Sequence, residues 1–177
     1  LRYGVGPVNG ALSYHSALAD AVAGAEIVHE AVPERLDLKQ RVHADITAAA
    51  GGDTIVCTST SGLLPTKIQE GLALPGNLIV AHPFNPVYLL PLVELVAGQQ
   101  TAVGIVDRAA TIFDSVGMKP LKVRKEIDAF IADRLLEAVW RESLWLVKDG
   151  IATTEEIDDA IRYGFGLRWA QMGLFQT

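Results

Sequence analysis

The chain has 177 residues, of which 50% are hydrophobic and 20% are charged, and its formal net charge is −6 at pH 7. This composition predicts a soluble globular protein with one good core, or with one domain and part of another. The acidic balance and the scattered lysines and arginines argue against nucleic-acid binding. No apolar run reaches the roughly 18 residues that a membrane span requires.

The chain has one cysteine, Cys57, so an intrachain disulfide framework is excluded. Cys57 lies in the apolar run 54–58, which predicts a buried core thiol rather than a nucleophile. A lone thiol is compatible with a reducing compartment, and we predict a cytoplasmic protein without a metal site.

Strands and helices are predicted to alternate along the first two-thirds of the chain. Apolar periodicity and turn residues place strands at 26–32, 54–58, 78–81, 92–96 and 120–123. Helices are predicted at 13–24, at 34–50, shortly after Pro65 and at 102–116. The apolar face of the second helix is assigned to Leu36, Leu38, Val42 and Ile46. This alternation is typical of an α/β fold with a largely parallel sheet.

The pattern changes after Val123, where strand signals end. Residues 129–148 predict one long helix, and Thr153 with Glu156 predicts a capping box at the start of another. The candidate buried positions of the long helix are Phe130, Leu135, Leu136, Val139, Trp140, Leu144 and Val147. We predict one domain over residues 1–124 and the start of an α-helical domain over residues 125–177.

Two residues between positions 78 and 96 are the candidates for chemistry. His82 ends one apolar run, and Glu94 lies at the centre of the next, where an unpaired carboxylate would be costly. If the chain reverses near Tyr88, the two side chains come opposite each other on neighbouring strands. A carboxylate in that place fixes the imidazole tautomer and stabilises the imidazolium formed on protonation. The spacing equally allows a histidine satisfied by a backbone carbonyl and a glutamate at a solvent edge.

Several segments together resemble the L-3-hydroxyacyl-CoA dehydrogenase superfamily. The segments are Glu30-Ala31-Val32-Pro33-Glu34, the loop 59–63, His82-Pro83-Phe84-Asn85-Pro86 with Glu94, and residues 130–136. The resemblance covers nearly all of the chain from about residue 25. It implies an incomplete Rossmann-type domain that binds NAD, an α-helical domain that follows it, and a homodimer formed through the helical domain.

The resemblance also implies roles for individual residues. His82 would be the general base and Glu94 its orienting partner, while Ser61 and Asn85 would hydrogen-bond near the reacting oxygen and the nicotinamide. The cofactor site would further include Ala31, Val32, Glu34, Lys39 and Ser59. From spacing alone, Glu34 and Lys39 are an ordinary solvated pair near the start of a helix.

The expected substrate follows from positions at which this chain differs from the acyl-CoA enzymes of the superfamily. Residues 82–91 and 166–169 are most similar to the members that act on carnitine, and Asp133 stands where the acyl-CoA enzymes have asparagine. A carboxylate attracts a cationic ligand, and aromatic faces such as those of Tyr88 and Trp169 hold quaternary ammonium groups. We therefore expect NAD-dependent oxidation of L-carnitine to 3-dehydrocarnitine. The alternatives are an L-3-hydroxyacyl-CoA dehydrogenase, disfavoured by Asp133 and Pro83, and a non-catalytic, crystallin-like relative.

The phosphate-binding part of a dinucleotide fold is not recognisable in the sequence. Such a fold needs a GxGxxG turn that opens a helix and an acidic residue further on. Gly4, Gly6 and Gly10 do not fit that spacing, and we interpret them as a loop. We expect the chain to be an internal portion of a longer protein, without the residues that distinguish NAD from NADP.

Overall fold

The computed structural model describes residues 10–176. Gly4 and Gly6 of the interpreted loop lie outside the described residues, and Gly10 lies in a bend. The chain divides into two compact units, Leu1–Ile131 and Ala132–Thr177. The division falls a few residues after the predicted one at 124/125.

The first unit is built on a five-stranded mixed sheet. Its strands, in spatial order, are β1 (Ile27–Glu30), β2 (Ile55–Thr58), β3 (Leu78–Pro83), β4 (Leu92–Ala97) and β5 (Lys119–Val123). Strands β1, β2 and β3 are parallel, β4 is antiparallel to β3, and β5 is parallel to β4. The predicted α/β class is confirmed, and the strand bounds differ from the predicted ones by at most two residues.

Helices connect and flank these strands. Within residues 10–176 they are α1 (Leu18–Val22), α2 (Leu36–Ala49), α3 (Pro65–Gln69), α4 (Ile105–Ser115), α5 (Ala132–Lys148), α6 (Thr154–Ala160) and α7 (Gly166–Met172), with a 3₁₀ turn at Pro75–Asn77 and a π-helical turn at Ile161–Phe165. Helix α1 is much shorter than the predicted 13–24. No helix in this part of the chain has the length and apolarity to cross a membrane.

The main core lies between one face of the sheet and α4. Cys57 and its neighbours on that face are fully buried, as the sequence predicted for the thiol. The buried members of this core are Ile55, Cys57, Ile79, Ala81, Val93, Leu95, Ile105, Ala109 and Ala110. Side chains alternate between the two faces of a strand, so His82 and Glu94 lie on the opposite face, together with Val80 and Val96.

The buried face of α2 differs from the predicted apolar face. Lys39, His43, Ile46 and Thr47 are the buried residues of this helix, whereas Val42 is only partly buried. The spacing is still helical, but polar side chains occupy three of the four buried positions. The hydrophobic pattern predicted Ile46 correctly, but it could not predict Lys39 and His43, because these two side chains meet the carboxylate of Glu30 rather than an apolar core.

Helix α5 has no buried residue, contrary to the burial predicted for its apolar positions. Leu135, Leu136, Trp140 and Leu144 are each more than half exposed. The helix begins at Ala132 rather than at 129, because residues 129 and 130 have positive φ angles. The capping box at Thr153 is confirmed, since the Thr153 hydroxyl and the Glu156 carboxylate each accept the other residue's backbone N–H.

Candidate active site

His82 and Glu94 lie directly opposite each other in the sheet. The antiparallel register of β3 and β4 pairs the two residues, as predicted. Nδ1 of His82 lies 3.1 Å from Oε2 of Glu94, and the two side chains are 7% and 0% exposed. Because an ionised carboxylate only accepts hydrogen bonds, the proton of the neutral imidazole resides on Nδ1 and makes Nε2 the basic nitrogen.

The connection between β3 and β4 supports this register. The backbone N–H of Phe84 donates to the carbonyl oxygen of Leu92 at 3.1 Å, which extends the antiparallel ladder past the end of β3. The N–H of Leu89 then donates to the carbonyl of Pro86 at 2.9 Å. The chain therefore reverses around Tyr88, where the sequence placed the turn.

Two aromatic rings flank the His82 imidazole. The ring of Phe84 is nearly perpendicular to it at a centroid distance of 6.0 Å. The ring of Phe130, which is fully buried, is tilted by 54° at 5.7 Å. Oε1 of Glu94 accepts the backbone N–H of Ile131 at 2.9 Å. Each carboxylate oxygen thus has a hydrogen-bond donor, which offsets the cost of burying the charge.

A second buried carboxylate, Glu30, lies at the end of β1. Its Oε1 accepts the backbone N–H of Val32 at 2.6 Å and the ammonium of Lys39 at 2.9 Å. Its Oε2 accepts from Nε2 of His43, also at 2.9 Å. The side chains of Glu30, Lys39 and His43 are at most 1% exposed. We call these three residues the Glu30 cluster.

The hydrogen-bond partners of Glu30 strongly favour the ionised form of its carboxyl group. Burial by itself raises the pKa of a carboxyl group. Hydrogen bonds from His43, Lys39, Thr58 and the Val32 backbone outweigh that effect and lower the pKa of Glu30 from 4.5 to about 2. Glu30 is therefore ionised in the folded protein at neutral pH, and Lys39 has a fixed counter-charge.

Glu34 joins the Glu30 cluster to the loop that follows β2. Its Oε2 lies 3.5 Å from Nζ of Lys39. Its Oε1 accepts from the hydroxyl of Thr60 and from the backbone N–H groups of Ser61 and Gly62, the latter two at 3.2 and 3.3 Å. The loop that carries Ser61 is therefore held by a carboxylate from the neighbouring strand end. Lys39 is not the solvated residue that spacing alone allowed.

The other predicted cofactor residues of the first unit lie at the carboxyl ends of the parallel strands. Ala31 and Val32 follow β1 directly. The hydroxyl of Ser59 donates to the carbonyl of Glu30 at 3.0 Å, so it helps to connect the ends of β1 and β2. Asn85, after β3, is exposed.

The predicted substrate residues lie in both units. Tyr88, in the first unit, is 81% exposed. In the second unit, Asp133 lies in the first turn of α5. Trp169, in α7, contacts the ring of Phe165 at a centroid distance of 4.5 Å.

The donor set at the strand ends fits the nicotinamide half of NAD. Dinucleotides bind outside the carboxyl ends of parallel strands, and here Glu34, Ser61 and Asn85 follow three adjacent parallel strands. A carboxylate, a hydroxyl and an amide supply the acceptors and donors that ribose hydroxyls and a carboxamide require. All three residues are exposed.

Sequence reasoning missed four residues around the site. Glu30 and His43 were not recognised as partners, although the i, i+4 spacing of Lys39 and His43 places both on one face of α2. Thr60, which is fully buried, holds the loop to Glu34. Phe130 was expected to be buried as part of a helix, and no sequence signal placed its ring against His82.

Family-level comparison matches both units. Residues 4–127 match the model described as 3-hydroxyacyl-CoA dehydrogenase, NAD binding domain, and residues 130–177 match the model of the C-terminal domain of the same family. The chain belongs to the 3-hydroxyacyl-CoA dehydrogenase family. The expected resemblance and its NAD-binding fold are thereby confirmed.

Individual family members give a finer comparison. The chain is 60% identical over 171 residues to the L-carnitine dehydrogenase/betainyl-CoA thioesterase of Agrobacterium fabrum, covering 97% of this chain and 34% of that protein. It is 58% identical over 172 residues to the L-carnitine dehydrogenase of Mesorhizobium japonicum, covering 97% of this chain and 47% of the relative. The chain thus spans about half or less of the length of these relatives.

A solved structure has a similar fold. The NAD⁺-dependent dismutase 5-formyl-3-hydroxy-2-methylpyridine 4-carboxylic acid 5-dehydrogenase matches with a TM-score of 0.86 and 34% identity. The match covers 90% of this chain and 52% of that one.

Proposed function

We propose that this chain carries the proton-transfer site of an NAD-dependent L-carnitine dehydrogenase. The observation that supports this most directly is the buried hydrogen bond between His82 and Glu94, 3.1 Å long, in a chain of the 3-hydroxyacyl-CoA dehydrogenase family. In this proposal L-carnitine is oxidised to 3-dehydrocarnitine.

In this proposal His82 accepts the proton of the substrate hydroxyl, and Glu94 orients the His82 imidazole. The substrate hydroxyl donates its proton to Nε2, because Nδ1 already carries a proton held by the Glu94 carboxylate. The imidazolium that forms is stabilised by that carboxylate, which is fully buried and close. The Ile131 N–H on the other carboxylate oxygen restrains the orientation of Glu94. When the substrate is reduced instead, Nε2 returns the proton to the carbonyl oxygen.

NAD, when bound, supplies the hydride acceptor. We propose that the chain's contribution to its site is the set Ala31, Val32, Glu34, Lys39, Ser59, Ser61 and Asn85. Glu34 has two roles in this proposal. Its half-exposed carboxylate contributes to the cofactor site, and the same carboxylate holds the loop that carries Ser61. Lys39 contributes through charge, because its ammonium is buried between Glu30 and Glu34.

The choice of carnitine rests on relatives and on charge. Proteins whose names include L-carnitine dehydrogenase are 52–60% identical to this chain. Asp133 would favour a trimethylammonium group by opposite charge, and we propose Tyr88 and Trp169 as aromatic partners for it. L-3-hydroxyacyl-CoA is the second candidate substrate, since both family models carry that description.

The decisive experiment measures NADH formation by the full-length protein with NAD at alkaline pH. L-carnitine and a short L-3-hydroxyacyl-CoA are offered in parallel to the wild type and to His82→Gln. We expect turnover of L-carnitine, lowered by roughly 10²–10⁴-fold in His82→Gln because the general base is removed. His15→Gln is the control, since His15 is exposed and forms a local hydrogen bond with Ser13.

Each result separates the candidate functions. Preference for the thioester would replace carnitine as the substrate but would leave the base in place. Full turnover in His82→Gln would refute the base assignment. The absence of turnover with either substrate would favour the non-catalytic relative.

Assembly and location stay predictions as well. We propose a homodimer formed through the helical unit, and a cytoplasmic location. Sedimentation of the full-length protein as a stable monomer would contradict the dimer.

A further inference from the structure

Two consecutive residues just before α5 have an unusual backbone conformation. Ala129 has a φ of 58° and Phe130 a φ of 49°. Non-glycine residues rarely adopt this left-handed region, and a bulky side chain makes it more costly. Such strain persists only where the surroundings fix the conformation from several sides.

The surroundings of Phe130 fix it in this way. Its backbone N–H donates to the carbonyl of Ile127 at 3.2 Å, and its ring is completely buried with Val80 and Val96. The same ring lies 5.7 Å from the imidazole of His82, on the face of the sheet that carries the dyad.

The turn also presents a main-chain donor to the dyad. The next N–H, that of Ile131, donates to Oε1 of Glu94 at 2.9 Å, while Oε2 of the same carboxylate holds Nδ1 of His82. A packing role for Phe130 would explain the burial of its ring. It would not explain why the left-handed turn also directs a backbone donor at the carboxylate that orients the base.

We propose that Phe130 is a positioning residue for His82. The left-handed turn at residues 129 and 130 sets the Phe130 ring against one side of the imidazole, and it sets the Ile131 N–H against the carboxylate that holds the other side. The imidazole is thereby fixed by contacts from Glu94 on β4, from Phe84 just after its own strand, and from this turn. The inference rests on the proposed role of His82 as general base.

The test compares Phe130→Leu with Phe113→Leu in the full-length protein. Phe113 is a matched control, because its ring also contacts a histidine, His29, at 6.1 Å, but on the α4 side of the sheet. Both variants lose an aromatic contact and some core packing. If Phe130→Leu is too unstable to purify, Phe130→Met is measured instead, since methionine fills irregular space well.

We expect kcat with L-carnitine to fall by about 10- to 100-fold in Phe130→Leu, because small misplacements of a catalytic group are costly. The KM for NAD should stay within about twofold of the wild-type value, because the positioning role concerns proton transfer rather than the binding of NAD. Phe113→Leu should lower the melting temperature and leave kcat unchanged.

Nitrogen NMR of the His82 imidazole gives a readout that does not require turnover. In the wild type we expect one tautomer with the proton on Nδ1, and in Phe130→Leu a mixture of tautomers or exchange broadening. A single unchanged tautomer in Phe130→Leu, or a kcat that falls no more than in Phe113→Leu, would overturn the positioning role. Full turnover in His82→Gln would instead refute the proposed role of His82 as general base, so the two failures are distinguishable.

Discussion

Replacing Glu30 by glutamine tests whether the Glu30 cluster stabilises the fold through charge. The side chain is 1% exposed and accepts hydrogen bonds from Lys39, His43 and the Val32 backbone. Lowering its pKa from 4.5 to about 2 corresponds to roughly 3 kcal/mol of stability at neutral pH. Removing one partner of a buried ion pair costs about 3–5 kcal/mol, which agrees in size.

The pH dependence gives the sign of the effect. Because the pKa of Glu30 in the folded protein lies below its ordinary value of 4.5, the ionised carboxylate stabilises the fold fully above that pH. The contribution is lost as the pH falls from 4.5 towards 2. The difference in unfolding free energy between wild type and Glu30→Gln should therefore be large at pH 7 and shrink as the pH is lowered through this window.

Urea unfolding of the full-length protein at a series of pH values measures this difference. Glu26→Gln is the matched control, because Glu26 precedes the same strand and is exposed, and its replacement should have much less effect at every pH. A loss for Glu30→Gln that equals the control, or one that stays constant between pH 7 and pH 3, would refute the role assigned to the charge.

Three further predictions concern packing and capping. In Gly98→Ala the new Cβ would lie 2.7 Å from Cδ of the buried Gln69. We expect the unfolding free energy measured in urea to fall by about 1–3 kcal/mol. Gly52→Ala is the control, because open space surrounds Gly52, and it should be nearly neutral. Burial raises the pKa of the Cys57 thiol to about 12, so iodoacetamide at pH 8 should label Cys57 only after unfolding, as read by mass spectrometry. Thr153→Ala removes a helix cap and should cost about 1 kcal/mol in thermal unfolding.

The sequence was most informative where side-chain periodicity decides the geometry. Two short apolar runs, with a chain reversal near Tyr88 between them, predicted that His82 and Glu94 would face each other, and the register of β3 and β4 confirms it. The buried Cys57 followed from its place in the apolar run 54–58. These predictions concern residues that are close in sequence or that lie on adjacent strands, where the local sequence pattern determines the geometry.

The sequence was least informative where polar groups are buried against distant partners. Lys39 and His43 belong to the buried face of α2 because Glu30 lies opposite them, and a search for apolar periodicity assigns such a face to other residues. The donor that Ile131 gives to Glu94 joins positions 37 residues apart through a left-handed turn. Neither propensity nor periodicity predicts a turn that local sterics disfavour.

Glu30 and Glu94 are two buried carboxylates that are stabilised by similar sets of hydrogen-bond donors. Each carboxylate is buried at the sheet, where an ion without donors would be prohibitively costly. Each accepts hydrogen bonds from basic side chains, Lys39 and His43 for Glu30 and His82 for Glu94. Each also accepts a main-chain N–H from outside its own strand, that of Val32 for Glu30 and that of Ile131 for Glu94. The charge that holds Lys39 or His82 therefore also fixes the path of the backbone at Val32 or at Ile131. A neutral replacement at either position would disturb a side chain and a backbone turn together, so that its effects on binding or turnover and on stability should appear as one.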